Sequence, residues 1–235
     1  MRSKWTARSF AKIAALFLLL AALALFLYGF KGYYDAGRDS PALVARADRL
    51  IAANRGAAGL GPGRLERLLL VEDPGFWTHN GVDLTTPGSG LTTLTESLAK
   101  RLAFAHFRPG IGKIRQIGYA MGLERRLSKP QIVALFLDTA EMGPGRNGWM
   151  RGFYNASLET YGRPVAALDE RQFLSLVAVL IAPRSFKLQG RDPRLQERVG
   201  RIERLVLKRC RPENLRDVWL EGCAGPPAEA GASAG

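Results

Sequence analysis

The sequence predicts a mainly α-helical domain carried on one membrane-spanning helix. Three observations predict it: a single uninterrupted apolar run near the N-terminus, a succession of apolar stripes at helical spacing bounded by capping residues, and the lack of any persuasive alternating strand pattern.

The apolar run is Ile13 to Phe30, 18 residues without a charge. A helix of that length just crosses the ~30 Å hydrocarbon layer. Trp5 and the group Tyr28, Tyr33 and Tyr34 flank it as interfacial aromatics. Arg2, Lys4, Arg8 and Lys12 precede it, so the positive-inside rule predicts a cytoplasmic tail at 1–12 and everything after residue 30 outside. A cleaved signal peptide is the competing reading. The length of the run and the lack of a small-x-small cleavage site favour an uncleaved anchor.

Residues 31–63 read as a helical stem and linker. Ser40-Pro41 suggests an N-cap and first helical position, followed by Leu43, Ala47, Leu50 and Ile51 on one face; Asn54 and Gly56 end that helix, and Gly56 to Gly63 reads as a flexible joint. A short helix is expected over Arg64 to Val71, then a loop from Asp73 to Gly90 with two prolines and four glycines. Helices follow over Thr92 to Phe104 and Lys113 to Leu127. Ser128 with Gln131 forms a capping box that opens a helix running to Ala140. Arg151 to Tyr161 is helical and stops at Gly162. Asp169 with Gln172 is a second capping box, behind which Phe173, Leu176, Val177 and Leu180 form a stripe. Asp192-Pro193 caps the last helix, with Val199, Ile202, Leu205 and Val206 inward. The main domain is thus placed at 64–210 and a tail at 211–235, disordered from about 224 on composition.

Hydrophobic residues are 47% of the chain, enough for a core, and the net charge is +13. Without the four basic residues before the anchor, 30 basic residues still face 21 acidic ones, a net of +9. Such a surface suits anionic partners: acidic lipid, pyrophosphate or nucleic acid. The compartment and the lack of interleaved aromatics argue against nucleic acid. Cys210 and Cys223 can pair if the domain faces an oxidising compartment, and two free thiols fit equally well. No metal-ligating set emerges, because His79 and His106 are far from both cysteines and from each other.

The densest polar cluster outside a helix runs from Glu72 through Asp73, Phe76, Trp77 and His79 to Asp83. Glu72 ends an apolar helix. Partial burial and the neighbouring Asp73 both raise a carboxyl pKa toward the range of a general base. A capped turn plugged by Phe76 and Trp77 explains the same residues without chemistry.

This cluster resembles the first motif of the family-51 glycosyltransferases, the peptidoglycan polymerases, in which Glu-Asp is followed by Phe, His and x-Gly-x-Asp at fixed spacing. Glu72, Asp73, Phe76, His79, Gly81 and Asp83 meet every position. Leu91 to Leu102 (LTTLTESLAKRL) is similar to the second motif, Gly-Ser-Thr-(Ile/Leu)-Thr-Gln-Gln-Leu-x-Lys-Asn-Leu. Lys113 to Leu137 resembles the third motif. Arg151-Gly152-Phe153 and Tyr161-Gly162-Arg163 resemble the fourth. The resemblance covers about residues 65 to 210, and several ordered motifs are far more specific than one.

The resemblance implies a lysozyme-like helical domain with a small membrane-proximal lobe. It implies transfer of the growing glycan chain onto lipid II, with undecaprenyl pyrophosphate leaving. Glu72 then stands at the base position, and Lys100 and Arg108 at the places that neutralise the pyrophosphate, with Lys113, Thr92, Thr93, Glu96, Asp73 and His79 around them. His79 reads as a structural hydrogen-bonder. A divalent cation, Mg or Mn, travelling with the pyrophosphate is implied as well. So are membrane lipid and other cell-wall synthesis proteins as partners, and a bacterial inner-membrane location with the domain on the periplasmic face. Phe104, Ala105 and Phe107 correspond to a membrane-dipping jaw, or else to ordinary core.

Two departures stand out. The second catalytic carboxylate of the third motif is replaced by Gln116, which cannot hold a charge. In the second motif Gly-Ser has become Leu91-Thr92 and Gln-Gln has become Glu96-Ser97. Glu96 is either a substitute carboxylate or a helix-surface residue. These departures raise the alternative of a catalytically degenerate lipid II-binding scaffold. A lysozyme-like hydrolase with Glu72 as general acid is a further alternative.

Overall fold

The computed structural model describes residues 7–88 and 90–225. Arg2, Lys4 and Trp5 of the predicted cytoplasmic tail, and the tail predicted to be disordered, from residue 226 on, lie outside the described residues. The mainly α expectation holds. Eight α-helices and one two-stranded hairpin make up the described chain: α1 (Ala7–Ala52), α2 (Arg64–Glu72), α3 (Leu94–Ala103), α4 (Ile111–Glu124), α5 (Lys129–Thr139), β1 (Glu141–Gly145), β2 (Gly148–Arg151), α6 (Phe153–Tyr161), α7 (Glu170–Val179) and α8 (Pro193–Val206).

Helix α1 spans about 69 Å at 1.5 Å per residue. It is long and apolar enough to cross a membrane, and its residues from Phe10 to Leu27 are almost wholly exposed. From Gly29 onward it is packed against α4, and further along against α5. The break predicted at Ser40-Pro41 does not occur: anchor and stem are one helix. Proline removes the N–H that would bond the carbonyl four residues back. That carbonyl belongs to Gly37, and the Ser40 hydroxyl donates to it instead at 2.9 Å. Ser40 therefore repairs the interior of a helix where it was expected to begin one. Burial of Ala36, Leu43 and Ala47, with Arg115 bonded to buried Asp35 at 2.8 Å and Arg46 to Asp138 at 2.5 Å, holds the rod through the proline.

The contact between α1 and α4 is backbone on backbone. A β-carbon at Gly118 would lie 1.9 Å from the Gly29 carbonyl oxygen, one at Gly32 2.2 Å from the Arg115 oxygen, and one at Gly122 2.7 Å from the Ala36 Cβ. The pairing of 29 with 118 and 36 with 122 makes the two helices parallel, so Ile111 points back along the apolar run.

The joint predicted at Gly56 to Gly63 is instead a packed 3-10 turn, Ala57–Leu60, with Gly59 and Leu60 buried. Gly59 is pressed onto the Asn54 carbonyl, where a β-carbon would sit 1.9 Å away, so the small residue serves close packing rather than flexibility. Two helices form the centre of the domain. Ile132 to Leu137 on α5 and Phe173 to Val179 on α7 are buried at every position, as expected of helices apolar all round. The capping boxes at Ser128 and Asp169 form as predicted, and Asp192 caps α8. The hairpin was not anticipated. Its strands, EMGPG and GWMR, carry glycines and a proline and no apolar alternation, yet Met142 and Met150 turn into the core while Pro144 pairs with Trp149 and Gly145 with Gly148. Cys210 and Cys223 are joined in a disulfide that ties the segment after α8 to a short turn, Glu221–Cys223.

Two outcomes test this account. Gly118→Ala should lower stability by about 2–3 kcal/mol through overpacking, while Gly200→Ala, where the nearest atom is 3.8 Å away, should be neutral or mildly stabilising. Thermal unfolding of the detergent-solubilised chain compares them. Replacing Cys223 by Ala should cost about 3 kcal/mol in the chain-entropy account, read as a shift of the denaturant midpoint that reductant reproduces in the wild type.

Candidate functional site

The N-terminus of α3 organises the site. Its first free N–H groups need acceptors, and side chains supply them. Thr93 accepts from the Glu96 N–H at 3.1 Å, and its own N–H donates to the Glu96 carboxylate at 3.0 Å. The Leu94 N–H donates to Asp73 at 2.8 Å. Asp73 also receives the His79 ring at 2.9 and 3.0 Å. Because Gly81 N–H donates to His79 Nδ1 at 3.0 Å, the ring proton sits on Nε2 and points at Asp73. Lys129 closes the brace, donating to the His79 carbonyl and to Glu124 at 2.9 Å with Phe76 under its ammonium. Asp73 and His79 thus fix the loop that follows Glu72 onto the start of α3.

Next to this brace lies a second cluster. Lys113 donates to the Leu91 carbonyl at 2.8 Å and to Thr92 at 3.0 Å, and pairs with Glu96 at 3.0 Å. Glu96 is buried, so it is not the helix-surface residue that one reading allowed. Gln116 is also buried, and its amide donates to the Glu96 backbone carbonyl at 2.7 Å. Thr92, Thr93, Glu96, Lys113 and Gln116 are therefore one connected group. Lys113 is already engaged by a carboxylate within it.

Beside α3 opens a cleft of about 1090 Å³. Lys100 and Arg101 contribute one wall, continued by Phe104 and Phe107, and Glu141, Trp149, Arg151 and Arg184 another; Arg46 of α1 also lines it. Lys100 is exposed and lies 5.2 Å over the Phe107 ring. Arg108 is exposed beside these residues, makes no hydrogen bond or ion pair, and is not on the cleft wall. Arg101 is held on three sides: it donates to Thr139 at 3.1 Å and to Ser97 at 2.8 Å, and lies 4.8 Å over Phe136. Its remaining buried nitrogen, Nη2, has no partner. Burial brings its pKa down to about 10, against the fields of Glu141 and Glu72.

Glu72 makes no hydrogen bond and no ion pair. It keeps a small accessible surface, but protein surrounds the side chain, and the loss of water raises its pKa from 4.5 to about 7. The fields of Arg198 and Arg101 oppose that rise, and Asp73 adds to it. Glu72 is not on the cleft wall; Arg101, which is, acts on it through its field. Arg198, buried on α8, donates to the Val218 carbonyl at 3.1 Å and leaves its Nε without a partner. Two guanidinium groups thus act on the carboxylate through their fields, with no hydrogen bond or ion pair to it. Among the described residues no group of three His, Cys, Asp or Glu side chains could hold a metal ion.

Sequence reasoning passed over Arg101, Arg198, Arg46 and Trp149. For Arg101 a signal existed, since it follows Lys100 where the quoted second motif has Asn. Arg198 and Arg46 are brought in by the fold from distant helices and carry no local signal.

A family model described as Transglycosylase matches residues 60–210. The biosynthetic peptidoglycan transglycosylase of Marinomonas sp. (strain MWYL1) is 31% identical over 159 residues, 63% of this chain and 68% of that protein. Penicillin-binding protein 1C of Escherichia coli (strain K12) is 34% identical over 171 residues, 67% of this chain and 21% of that protein. Penicillin-binding protein 1B of the same strain is 30% identical over 156 residues, 60% of this chain. The chain spans only 18% of the length of that penicillin-binding protein. The match to the family model alone covers more than half of the 235 residues, and the chain belongs to the transglycosylase family.

Proposed function

We propose that this protein is a membrane-anchored peptidoglycan glycosyltransferase that polymerises lipid II into glycan strands and releases undecaprenyl pyrophosphate. The observation that carries the reading is Glu72: an unpaired carboxylate, poor in water, poised near pH 7, in the field of Arg101, which lines a cleft together with Lys100 and Arg184. A general base works best when its pKa lies near the working pH. Glu72 takes the proton of the acceptor 4-hydroxyl. The oxygen attacks the anomeric carbon of the growing chain, and the bond from that carbon to the pyrophosphate breaks with its electron pair going to the pyrophosphate. Cations on the cleft wall stabilise the charge that builds there. Lys100, Arg101 and Arg184 on that wall, with Arg108 exposed beside it, supply the positive charge. A Mg or Mn ion accompanying the pyrophosphate would take its ligands chiefly from phosphate oxygens, and no step depends on it.

With residues 13–30 in the bacterial inner membrane and the N-terminus inside, the domain faces the periplasm. The parallel packing of α4 on α1 then sets Ile111, which is exposed, beside the apolar run, about 10 Å below Gly118. The lipid-carried substrates would reach the cleft from that side.

Glu96 and Gln116 form a compensated pair. The second and third motifs carry an amide and a carboxylate at these two places, and here the two are exchanged. The Gln116 amide holds the Glu96 backbone and Lys113 pairs with the Glu96 carboxylate, so the cluster keeps one negative charge. Glu96 is thereby the second carboxylate of the site.

Full-length protein with lipid II and Mg or Mn ions should yield glycan ladders on a gel, and Glu72→Gln should lower the rate by about 10² or more. Equal silence of wild type and variant across conditions would sink the proposal. The rate should rise with pH through about 7 as Glu72 loses its proton. Stability moves the other way: the folded pKa lies above the unfolded 4.5, so the native state binds the extra proton and loses roughly 3 kcal/mol as pH rises from 4.5 through 7, a loss Glu72→Gln should escape in melts at pH 5 and 8. Gln116→Glu alone should cost about 1–3 kcal/mol and lower activity, because it sets a carboxylate against the Glu96 carbonyl. Adding Glu96→Gln should recover both, and the comparison of single and double variants in one turnover assay measures it.

A further inference from the structure

One aromatic side chain on the cleft is not used by the transfer chemistry. Trp149 lines the cleft and is 42% exposed. Residues two apart on a strand share a face, so Trp149 and Arg151 project together while Met150 between them enters the core. Both converge on Glu141. The Trp149 indole N–H donates to one Glu141 oxygen, and Arg151 Nε donates to the other at 3.1 Å. The polar tip of the indole is therefore satisfied, its plane is set, and what it offers to the cleft is its apolar face. The base beneath it is stiff: Pro144 pairs with Trp149 and Gly145 with Gly148 across the hairpin.

We propose that Trp149, with Glu141 and Arg151 at its edge, is a stacking subsite for a β-1,4-linked N-acetylhexosamine ring of the glycan strand. The proposal rests on the glycan-polymerising reading above and adds a second point of attachment, apart from Glu72. In such a sugar the ring substituents are equatorial and the axial C–H bonds make a flat apolar face, which an indole covers well. Hydroxyl and acetamido groups then extend sideways, where the free lone pairs of Glu141 and the remaining N–H groups of Arg151 can meet them. Arg184, exposed on the same cleft without a hydrogen bond or ion pair, suits a carboxylate carried by a glycan substituent. Trp77 is exposed away from the cleft, whereas Trp149 keeps its open surface inside a concave site.

Full-length protein in detergent micelles is titrated with tetra-N-acetylchitotetraose, following tryptophan emission and heat of binding. Saturable binding is expected. Trp149→Ala should weaken it about tenfold or more, while Trp149→Phe, which keeps a stacking face, should stay within about threefold. Trp77→Phe, an exposed tryptophan that is not on the cleft wall, should bind as the wild type does. Binding is read without turnover, which separates this subsite from the transfer step: a failure of turnover leaves the binding result standing, and the reverse. No saturable binding by the wild type, or a Trp149→Ala affinity within about twofold of it, overturns the proposal. So does equal weakening by Trp149→Ala and Trp149→Phe, since stacking would then not be the cause.

Discussion

Helix α1 meets α4 through peptide backbone, and most of the site inherits its position from that contact. Gly29, Gly32, Gly118 and Gly122 let the two helices approach until main-chain atoms touch. Such contacts depend on shape and dispersion rather than on apolar side chains, so they work equally well in lipid and in water. Polar contacts lock the register above them: Arg115 to Asp35, and Tyr119 to Asp39 at 3.0 Å. Helix α4 carries Lys113 and Gln116, which hold Glu96 and the start of α3; α3 in turn carries Lys100 and Arg101. Movement of α1 by one residue would pass through every one of these groups. The long N-terminal helix is consequently a structural part of the domain, and it delivers Arg46 to the cleft directly.

The electrostatics of Glu72 follow from what the fold withholds from it. A carboxylate touching either guanidinium would form a strong ion pair and lie well below 4.5, useless as a base at neutral pH. One with no cation nearby would stay protonated. Arg101 and Arg198 sit close enough to be felt and too far to bond, so desolvation wins by a limited margin and the pKa rests at about 7. Each arginine is tethered elsewhere, Arg101 by Ser97 and Thr139 and Arg198 by the Val218 carbonyl. These tethers hold both guanidinium groups to partners other than Glu72. The unsatisfied nitrogens, Arg101 Nη2 and Arg198 Nε, are the cost of that spacing.

How much of this was legible in the sequence differs by the kind of signal. The helix starts at Ser128, Asp169 and Asp192 were readable because a cap is local chemistry, complete within four residues. The start assigned to Ser40-Pro41 failed for the complementary reason. The local pattern was right, but packing on α4 and α5 outweighed one lost hydrogen bond, and Ser40 repaired the carbonyl. The hairpin 141–151 was hidden because its glycines and proline answer to tight turns and a bulge, not to alternation. Glu72, Lys100 and Arg108 could be named from the ordered motifs, whereas the burial that shifts Glu72, and Arg198 from more than a hundred residues away, exist only after folding.

The Glu96 and Gln116 exchange shows why position-by-position matching misjudges such a site. Taken singly, Gln116 is a lost carboxylate and Glu96 a misplaced one. In space they are neighbours on two helices, joined by the amide of one and the backbone of the other, with Lys113 paired to Glu96. What the chemistry around α3 requires is one negative charge beside one lysine in a buried pocket; two carboxylates there would repel, and none would leave Lys113 uncompensated. The exchange satisfies that requirement with the charge moved from one helix to its neighbour. Under the proposed function the chain then holds two carboxylates, Glu72 unpaired and Glu96 neutralised by Lys113, in different environments.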